Sequence, residues 1–265
     1  MDIRNSNKLK TKVAPAIKKS TPTSIQNPID LENEHVHKVY ESIASHFSNT
    51  RNRPWPLVSN FIKQHPFSFI LDAGCGNGKY LQHQNQFNFA FDYSHNLAKI
   101  ALNKPAEIVV GDTLRIPFQS NKFDIIISIA VIHHLASTDR RVEALKEINR
   151  CLTVGGRALV CAWAVEQGVS GTDMLVPWTQ QLQNKLHFTD DTDVANDKIK
   201  GQEIKKQGRF YHFFLNGELS EMGKSAGLQI DQKMGQQLYE EIYGQTEMQD
   251  EYYDHDNWYC IFYKK

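Results

Sequence analysis

The sequence predicts an α/β fold built on a mostly parallel sheet, and three observations carry that prediction. Short apolar runs of strand length recur between stretches with helical spacing. The first of these runs, Phe67-Ser68-Phe69-Ile70-Leu71, delivers Asp72-Ala73-Gly74-Cys75-Gly76-Asn77-Gly78-Lys79, a glycine loop straight after a buried strand. Further acids, Asp92 and Asp112, then stand at the ends of the next two strands, the edge where open α/β sheets bind ligands.

Taken in order, residues 1 to 28 contain Pro15, Pro22 and Pro28, with Arg4, Lys8, Lys10, Lys12, Lys18 and Lys19 against Asp2 alone in the first twenty. A disordered basic tail is expected, either solvated or an arm touching RNA. The poverty in arginine argues against a mitochondrial presequence. From Asp30 to Phe47 the apolar positions Val36, Val39, Tyr40, Ile43, Ala44 and Phe47 recur at helical spacing, which predicts an amphipathic helix. Pro54 and Pro56 flank Trp55 ahead of a helix beginning near Leu57.

Strands are predicted at Phe69 to Ala73, Phe87 to Asp92, Glu107 to Val110 and Phe123 to Ala130, with helices at about Asn96 to Leu102 and Arg140 to Leu152. Gly155-Gly156 reads as a turn into a fifth strand, Arg157 to Ala164, and the alternation implies a parallel sheet covered on both faces. Leu228 to Met234 and Trp258 to Tyr263 are late strand candidates that would close the sheet antiparallel. The polar stretch from Thr179 to Arg209 lacks an apolar face and reads as a mobile insertion within one domain spanning 29–265. No internal repeat is evident.

A chain of 265 residues with 40% apolar content can bury one substantial core. Cys75, Cys151, Cys161 and Cys260 are scattered, with no C-x-x-C pair or zinc spacing, so free thiols in a reducing compartment are expected. No long apolar run or signal-peptide core occurs, so neither membrane insertion nor secretion is expected; the cytoplasm, with the nucleus as a second location, is. The net charge of zero conceals a basic start and an acidic stretch from Glu218 to Asp256. Local patches, not totals, set phosphate binding, so a neutral pI weakens a nucleic-acid reading without excluding it.

The loop reads G-x-G-x-G (Gly74, Gly76, Gly78), one residue tighter than the dinucleotide fingerprint, and it begins with an acid. A carboxylate there repels a pyrophosphate and suits a ligand carrying positive charge. S-adenosylmethionine supplies an ammonium and a sulfonium and has no phosphate. Asp92 can accept both ribose hydroxyls, which by itself separates neither methyl donor from NAD. Asp112 can accept from the adenine amine while Leu114 or Ile116 packs the ring. Each acid alone is equally an N-cap or turn residue; three at successive strand ends behind a glycine loop make a site.

The fourth strand leads into Ile132-His133-His134-Leu135. Adjacent histidines share a metal face poorly, so substrate-orienting or structural roles rank above metal binding. Arg140 and Arg141 oppose the dipole of the helix they open, which suits either an anion grip or pairing with Glu143 or Glu147. Thr50-Arg51-Asn52-Arg53-Pro54-Trp55-Pro56 couples cations to an aromatic, as a nucleotide site would; Trp55 as a core residue is the competing reading.

Together these motifs resemble the eukaryotic tRNA wobble-uridine carboxymethyl methyltransferases, including the methyltransferase half of the related animal tRNA hydroxylase-methyltransferase. The resemblance runs through His35-Val36-His37-Lys38-Val39-Tyr40, Pro54-Trp55-Pro56, the glycine loop, Ser128-Ile129-Ala130-Val131-Ile132-His133-His134, Arg140-Arg141-Val142, Val176-Pro177-Trp178, Arg209-Phe210-Tyr211-His212, Gly217-Glu218-Leu219 and Asp256-Asn257-Trp258. Phe210 stands where the family usually has tyrosine, and the tail and the polar insertion fall outside the match.

The resemblance implies a class I S-adenosylmethionine-dependent methyltransferase (Rossmann-like) fold with a seven-stranded, mostly parallel sheet in the order 3-2-1-4-5-7-6. It implies esterification of wobble 5-carboxymethyluridine to its methyl ester, with S-adenosylhomocysteine released. The expected donor site comprises Tyr40, Asp72, Gly74, Gly76, Asn77, Gly78, Asp92, Asp112, Thr113, Leu114 and Ala130. Arg51 and His134, with His133 and Arg141 secondary, are expected to hold the carboxymethyl group or a neighbouring phosphate; no metal is expected. A carboxylate of pKa about 4 is already ionised at neutral pH and needs no general base. The resemblance further implies a heterodimer with a small zinc-ribbon activator, expected to pair with the edge strand at 106–111. A small-molecule O- or C-methyltransferase and an RNA-binding protein without catalysis are the competing readings.

Overall fold

A computed structural model describes residues 27–50, 53–81, 85–169, 171–178 and 207–265. The expected basic tail (1–26 of it) and most of the expected insertion (179–206) lie outside the described residues.

The first helical region starts earlier and ends later than its apolar pattern implies. Asn27 caps α1 (Pro28–Glu32) by accepting from Ile29 N–H, with Pro28 at the first turn, where its missing N–H costs nothing. A π-helical turn, Asn33–His37, leads into α2 (Lys38–Thr50). Such turns shift the helical phase and recur at functional sites. Here His35 reaches the Gly208 carbonyl (3.0 Å) and His37 stacks on Tyr93, rings 3.6 Å apart. α3 (Pro56–Lys63) begins at Pro56 and buries Leu57, Val58, Phe61 and Ile62.

The central strands are β1 (Phe69–Ala73), β2 (Phe87–Asp92), β3 (Glu107–Val110), β4 (Phe123–Ile129) and β5 (Leu152–Trp163). Between them lie α4 (His95–Ala101), capped by Ser94, and α5 (Thr138–Cys151), capped by Ser137. After β5 come β6 (Asp173–Trp178), β7 (Gln207–His212), α6 (Glu218–Ser225), β8 (Gln229–Ile230), α7 (Gln232–Tyr243), β9 (Tyr252–Asp254) and β10 (Asn257–Tyr263). The main sheet runs β3-β2-β1-β4-β5-β10-β8, with β9 hairpinned on β10. With β8 and β10 counted as sixth and seventh, this is the expected order, and β9 makes an eighth strand. β10 lies antiparallel to β5, Asn257 opposite Trp163 and Tyr263 opposite Arg157; β8 in turn lies antiparallel to β10.

Alternate side chains of β4 go to opposite faces, as the two-residue strand period requires. Ile126 joins the core beneath α5 and α6, while Ile125, Ile127 and Ile129 join that beneath α3 and α7. Three expectations are corrected. β5 begins at Leu152, because Gly155 N–H donates to the Lys264 carbonyl and Lys264 N–H to that of Gly156, carrying pairing through the double glycine. The strand expected to Met234 stops at Ile230, where Asp231 accepts from Met234 N–H and starts α7. The expected insertion does not reach Arg209, since 207–212 pairs with β6 in a two-stranded ribbon. That ribbon, α6 and α7 have no counterpart in the sequence reading.

Candidate active site

A cavity of about 940 Å³ opens at the carboxyl ends of β1, β2 and β4, roofed by the first helical region. Its floor is the glycine loop. Gly74 and Cys75 N–H both donate to the Phe91 carbonyl (2.9 Å each), and Gly76 N–H donates to Asp92 Oδ2 (2.8 Å). Gly74 has no room for a side chain: at φ +86°, a Cβ would stand 2.4 Å from Val131 Cγ2. Asn77 Nδ2 donates to the Ser48 carbonyl (3.2 Å), and Glu41 accepts from Ser94 Oγ (2.5 Å) and Asn96 N–H (3.2 Å), fixing α2 over the loop.

Asp72 is fully buried and lines the cavity, yet Oδ2 has no hydrogen-bond partner among the described residues. Burial pushes its carboxyl up to about 7; Lys79 pulls the other way and Asp92 adds to the rise. An orphaned buried carboxylate beside a side-chain-free loop fits a ligand that brings its own cation, as the ammonium of S-adenosylmethionine would. Asp92 is raised to about 6 by burial, opposed by N–H donors from Ser94 and Gly76. Each of its oxygens thus already holds a loop amide. Asp112 accepts from Leu114 N–H (2.9 Å), the turn role foreseen for it, and with Thr113 it still lines the cavity.

Beside the loop, the neighbouring strand β4 leads into Ala130, held at φ +61°, a conformation costly for any residue with a Cβ and found where a site over-determines the backbone. His133 and His134 follow on a single 3-10 turn, both buried. Trp163 N–H donates to His133 Nδ1 (3.1 Å), which puts the proton of this neutral ring on Nε2. His134 Nδ1 faces the Phe210 carbonyl (2.8 Å) and must donate to it, so Nε2 accepts from the Tyr40 hydroxyl (2.9 Å). Burial pushes both rings down, His134 to about 3, and both are neutral at physiological pH. The Tyr40 oxygen in turn lies 3.3 Å from Tyr211 Oη and 3.5 Å from Arg209 Nη1.

Of the expected site residues, the cavity gathers Tyr40, Asp72, Gly74, Gly76, Asn77, Asp92, Asp112, Thr113, Ala130, His133 and His134. Arg51 lies outside the described residues. His134, expected to help hold the carboxymethyl group or a phosphate, is a neutral ring whose two nitrogens both meet protein partners. Arg141 is corrected as well: it does not line the cavity, but is buried, donating to the Leu135 carbonyl (2.7 Å) and Thr138 Oγ1 (3.2 Å). Gly78 serves the turn, its N–H donating to the Cys75 carbonyl, and Leu114 packs against the core; neither lines the cavity. Arg140 pairs, though not with the glutamates of its own helix: Nε and Nη2 grip the buried Glu32 (2.7 and 2.5 Å). Trp55 both packs on the core beside Tyr259 and lines the cavity beneath Lys79, whose Nζ is 4.6 Å from the ring centre. The sequence reading gave no site role to Arg209, Tyr211 or His37, which line the cavity together with Trp163. A cation among aromatics in Arg209-Phe210-Tyr211-His212 was the available signal.

Residues 71–160 match a methyltransferase domain family. Over 246 residues the chain is 37% identical to the tRNA (carboxymethyluridine(34)-5-O)-methyltransferase of Schizosaccharomyces pombe, covering 88% of this chain and 97% of that protein. Among solved structures, the 1,6-didemethyltoxoflavin-N1-methyltransferase of Burkholderia thailandensis, with S-adenosylhomocysteine bound, shares the fold at TM-score 0.61 and 15% identity, covering 96% of this chain and 98% of that one. A Haloferax volcanii methyltransferase in complex with the Trm112 methyltransferase activator does so at TM-score 0.53 and 14% identity, covering 86% and 97%. The glycine loop and the orphaned Asp72 fit S-adenosylmethionine as the cofactor, and the family model and the Schizosaccharomyces pombe relative are both methyltransferases. The chain belongs to the tRNA (carboxymethyluridine(34)-5-O)-methyltransferase family, and it is an S-adenosylmethionine-dependent tRNA methyltransferase.

Proposed function

We propose that this enzyme methylates the carboxylate of 5-carboxymethyluridine at the wobble position of tRNA, giving the methoxycarbonylmethyl ester. The near full-length likeness to the Schizosaccharomyces pombe protein of that name carries the reading. When bound, S-adenosylmethionine supplies an electrophilic methyl whose capture by a carboxylate oxygen breaks the C–S bond, the electron pair going to sulfur, with no proton to remove. The chain's own residues suit an acceptor that is already an anion. Both histidines after β4 direct a lone pair at a protein donor, Trp163 N–H for His133 and the Tyr40 hydroxyl for His134, so neither is poised as a base. His133 keeps its proton on Nε2, which makes it a neutral donor for an acceptor oxygen. Asp72 faces the donor's positive end, and the Tyr40 roof excludes water, so the work of the site is alignment in a dry pocket.

The finer partner assignment rests on β3. It is a sheet edge, with Val109 and Val110 40% and 52% exposed, a surface suited to strand addition. A small zinc-ribbon activator pairing there would also lend RNA-binding surface to a catalytic chain of zero net charge.

The test is transfer of labelled methyl from S-adenosylmethionine to tRNA lacking the terminal ester, with and without activator, read by nucleoside mass spectrometry. A methyl ester on wobble carboxymethyluridine is expected. Donor binding with no tRNA product would move the function to a small-molecule acceptor. Protection of 106–111 from hydrogen exchange by the activator is the matching test of the docking edge.

A further inference from the structure

Arg209 is a buried cation facing the cavity, 3% exposed. Its guanidinium sits in an aromatic box, Cζ 4.6 Å from the Trp178 ring centre, 5.1 Å from Tyr211 and 6.0 Å from Tyr40. Those faces hold the charge in place without neutralising it. Nη1 makes one long bond to the Tyr40 hydroxyl (3.5 Å), Nε has no partner, and no carboxylate pairs with the guanidinium among the described residues. A guanidinium has five N–H donors in one plane, and leaving them unmet in a dry site is costly. The arrangement asks for an anion that arrives with a ligand.

Position selects which anion. Arg209 stands on β7 and meets Tyr40 and Tyr211, and through Tyr40 it joins His134 at the end of β4. Tyr211 stacks on Trp163, 4.3 Å between rings, at the end of β5. Asp72 lies at the end of β1, where it attends the donor's positive end, while Arg209 reaches the cavity from the β6–β7 ribbon beside the ends of β4 and β5. We propose that Arg209 binds the carboxylate of the acceptor base and makes the enzyme select an acidic side chain on the wobble uridine over a neutral one. The planar fork takes one carboxylate oxygen in line with Tyr40, and the second oxygen stays free to form the bond to the methyl carbon. This assignment rests on the proposed reaction.

The test uses the full chain with its activator and three tRNAs, carrying carboxymethyluridine, its neutral carboxamide analogue or unmodified uridine at the wobble position. Binding is measured with S-adenosylhomocysteine present, so no turnover intervenes. Wild type is expected to bind the carboxymethyl tRNA about tenfold or more tightly than the carboxamide form, in keeping with a charged hydrogen-bonded pair. Arg209→Gln should erase that preference and lower kcat/KM about 10- to 100-fold, while donor affinity by calorimetry stays within about twofold. Arg209→Lys keeps the charge without the fork and should keep part of the preference; it also decides the matter if the glutamine variant folds poorly. Equal weakening of all three tRNAs would assign Arg209 to a phosphate, and loss of donor affinity alone would assign it to the donor's carboxylate; either overturns the proposal. If wild type fails to methylate carboxymethyl tRNA, the reaction itself is wrong; if it succeeds and Arg209→Gln discriminates as before, only the role of Arg209 falls.

Discussion

Asp72→Asn should make the donor-free protein more stable at pH 8 while weakening donor binding, because this carboxylate is kept for a ligand at the expense of the fold. Its carboxyl titrates at about 7 rather than the ordinary 3.8, chiefly through burial, with Lys79 opposing and Asp92 reinforcing. At 1.36 kcal/mol for each tenfold change in proton affinity, ionising it costs the folded chain about 4 kcal/mol. The sign follows from linkage. Between 3.8 and 7 the folded chain binds more protons than the unfolded one, so stability is greatest below 3.8 and is lost as pH rises through 7. Urea unfolding of donor-free wild type and Asp72→Asn at pH 4 and pH 8 reads this residue with the groups coupled to it, since titrations independent of it cancel in the difference. The variant should match wild type within about 1 kcal/mol at pH 4 and exceed it by about 2–4 kcal/mol at pH 8. Calorimetry should find donor affinity rising with pH in wild type up to about 7 and lowered about tenfold or more in the variant, with the pH dependence flattened. A variant less stable than wild type at pH 8, or one that binds donor normally, refutes the reasoning.

Gly74→Ala forces a left-handed residue against Val131 and should cost about 1–2 kcal/mol for the backbone and 1–3 for overpacking, seen as a lower urea midpoint, with donor affinity reduced too. Glu32→Ala strips the buried partner of Arg140 and of the Ala136 N–H, so a loss of about 3–5 kcal/mol is expected; a loss under about 1 would show that the first helix is not anchored there. His212 lies between Asp173 (2.6 Å) and Glu218 (2.7 Å), which overcome its burial and raise it above the usual imidazole range. Its charge-dependent stabilisation is complete below the ordinary 6.5 and lost as pH climbs through the raised value, so His212→Gln should destabilise more at pH 6 than at pH 9 in thermal melts.

Features whose cause is local were legible in the sequence. β1, β2 and β3 were read to the residue, because each is a short run of strand-forming residues bounded by turn signals, and the glycine loop that follows β1 announces its own conformation. Asp72 and Asp92 were placed for the same reason, each being the last polar residue of such a run. The elements misread depend on distant partners. β5 extends back to Leu152 because β4 pairs with Leu152 and the C-terminal segment exchanges hydrogen bonds with Gly155 and Gly156, and β8 shrinks to two residues because Asp231 caps the helix that follows.

The sequence by itself carried the family resemblance, which implies the strand order, together with the parallel core and the glycine loop with its acids, since these reside in short contiguous motifs and in periodicity. The tertiary structure alone decided the cavity wall that carries His134 and Arg209. His134 is neutral because residue 40 and residue 210 meet it on both sides, and Arg140 is occupied because Glu32, 108 positions earlier, folds back onto it. Arg209 faces the cavity because β7 pairs with β6 and brings it beneath the first helix. Sequence spacing carries no record of such meetings. Hydrogen bonds and buried charge are settled by which atoms come within about 3 Å of one another, and for these groups the chain decides that only once it is folded.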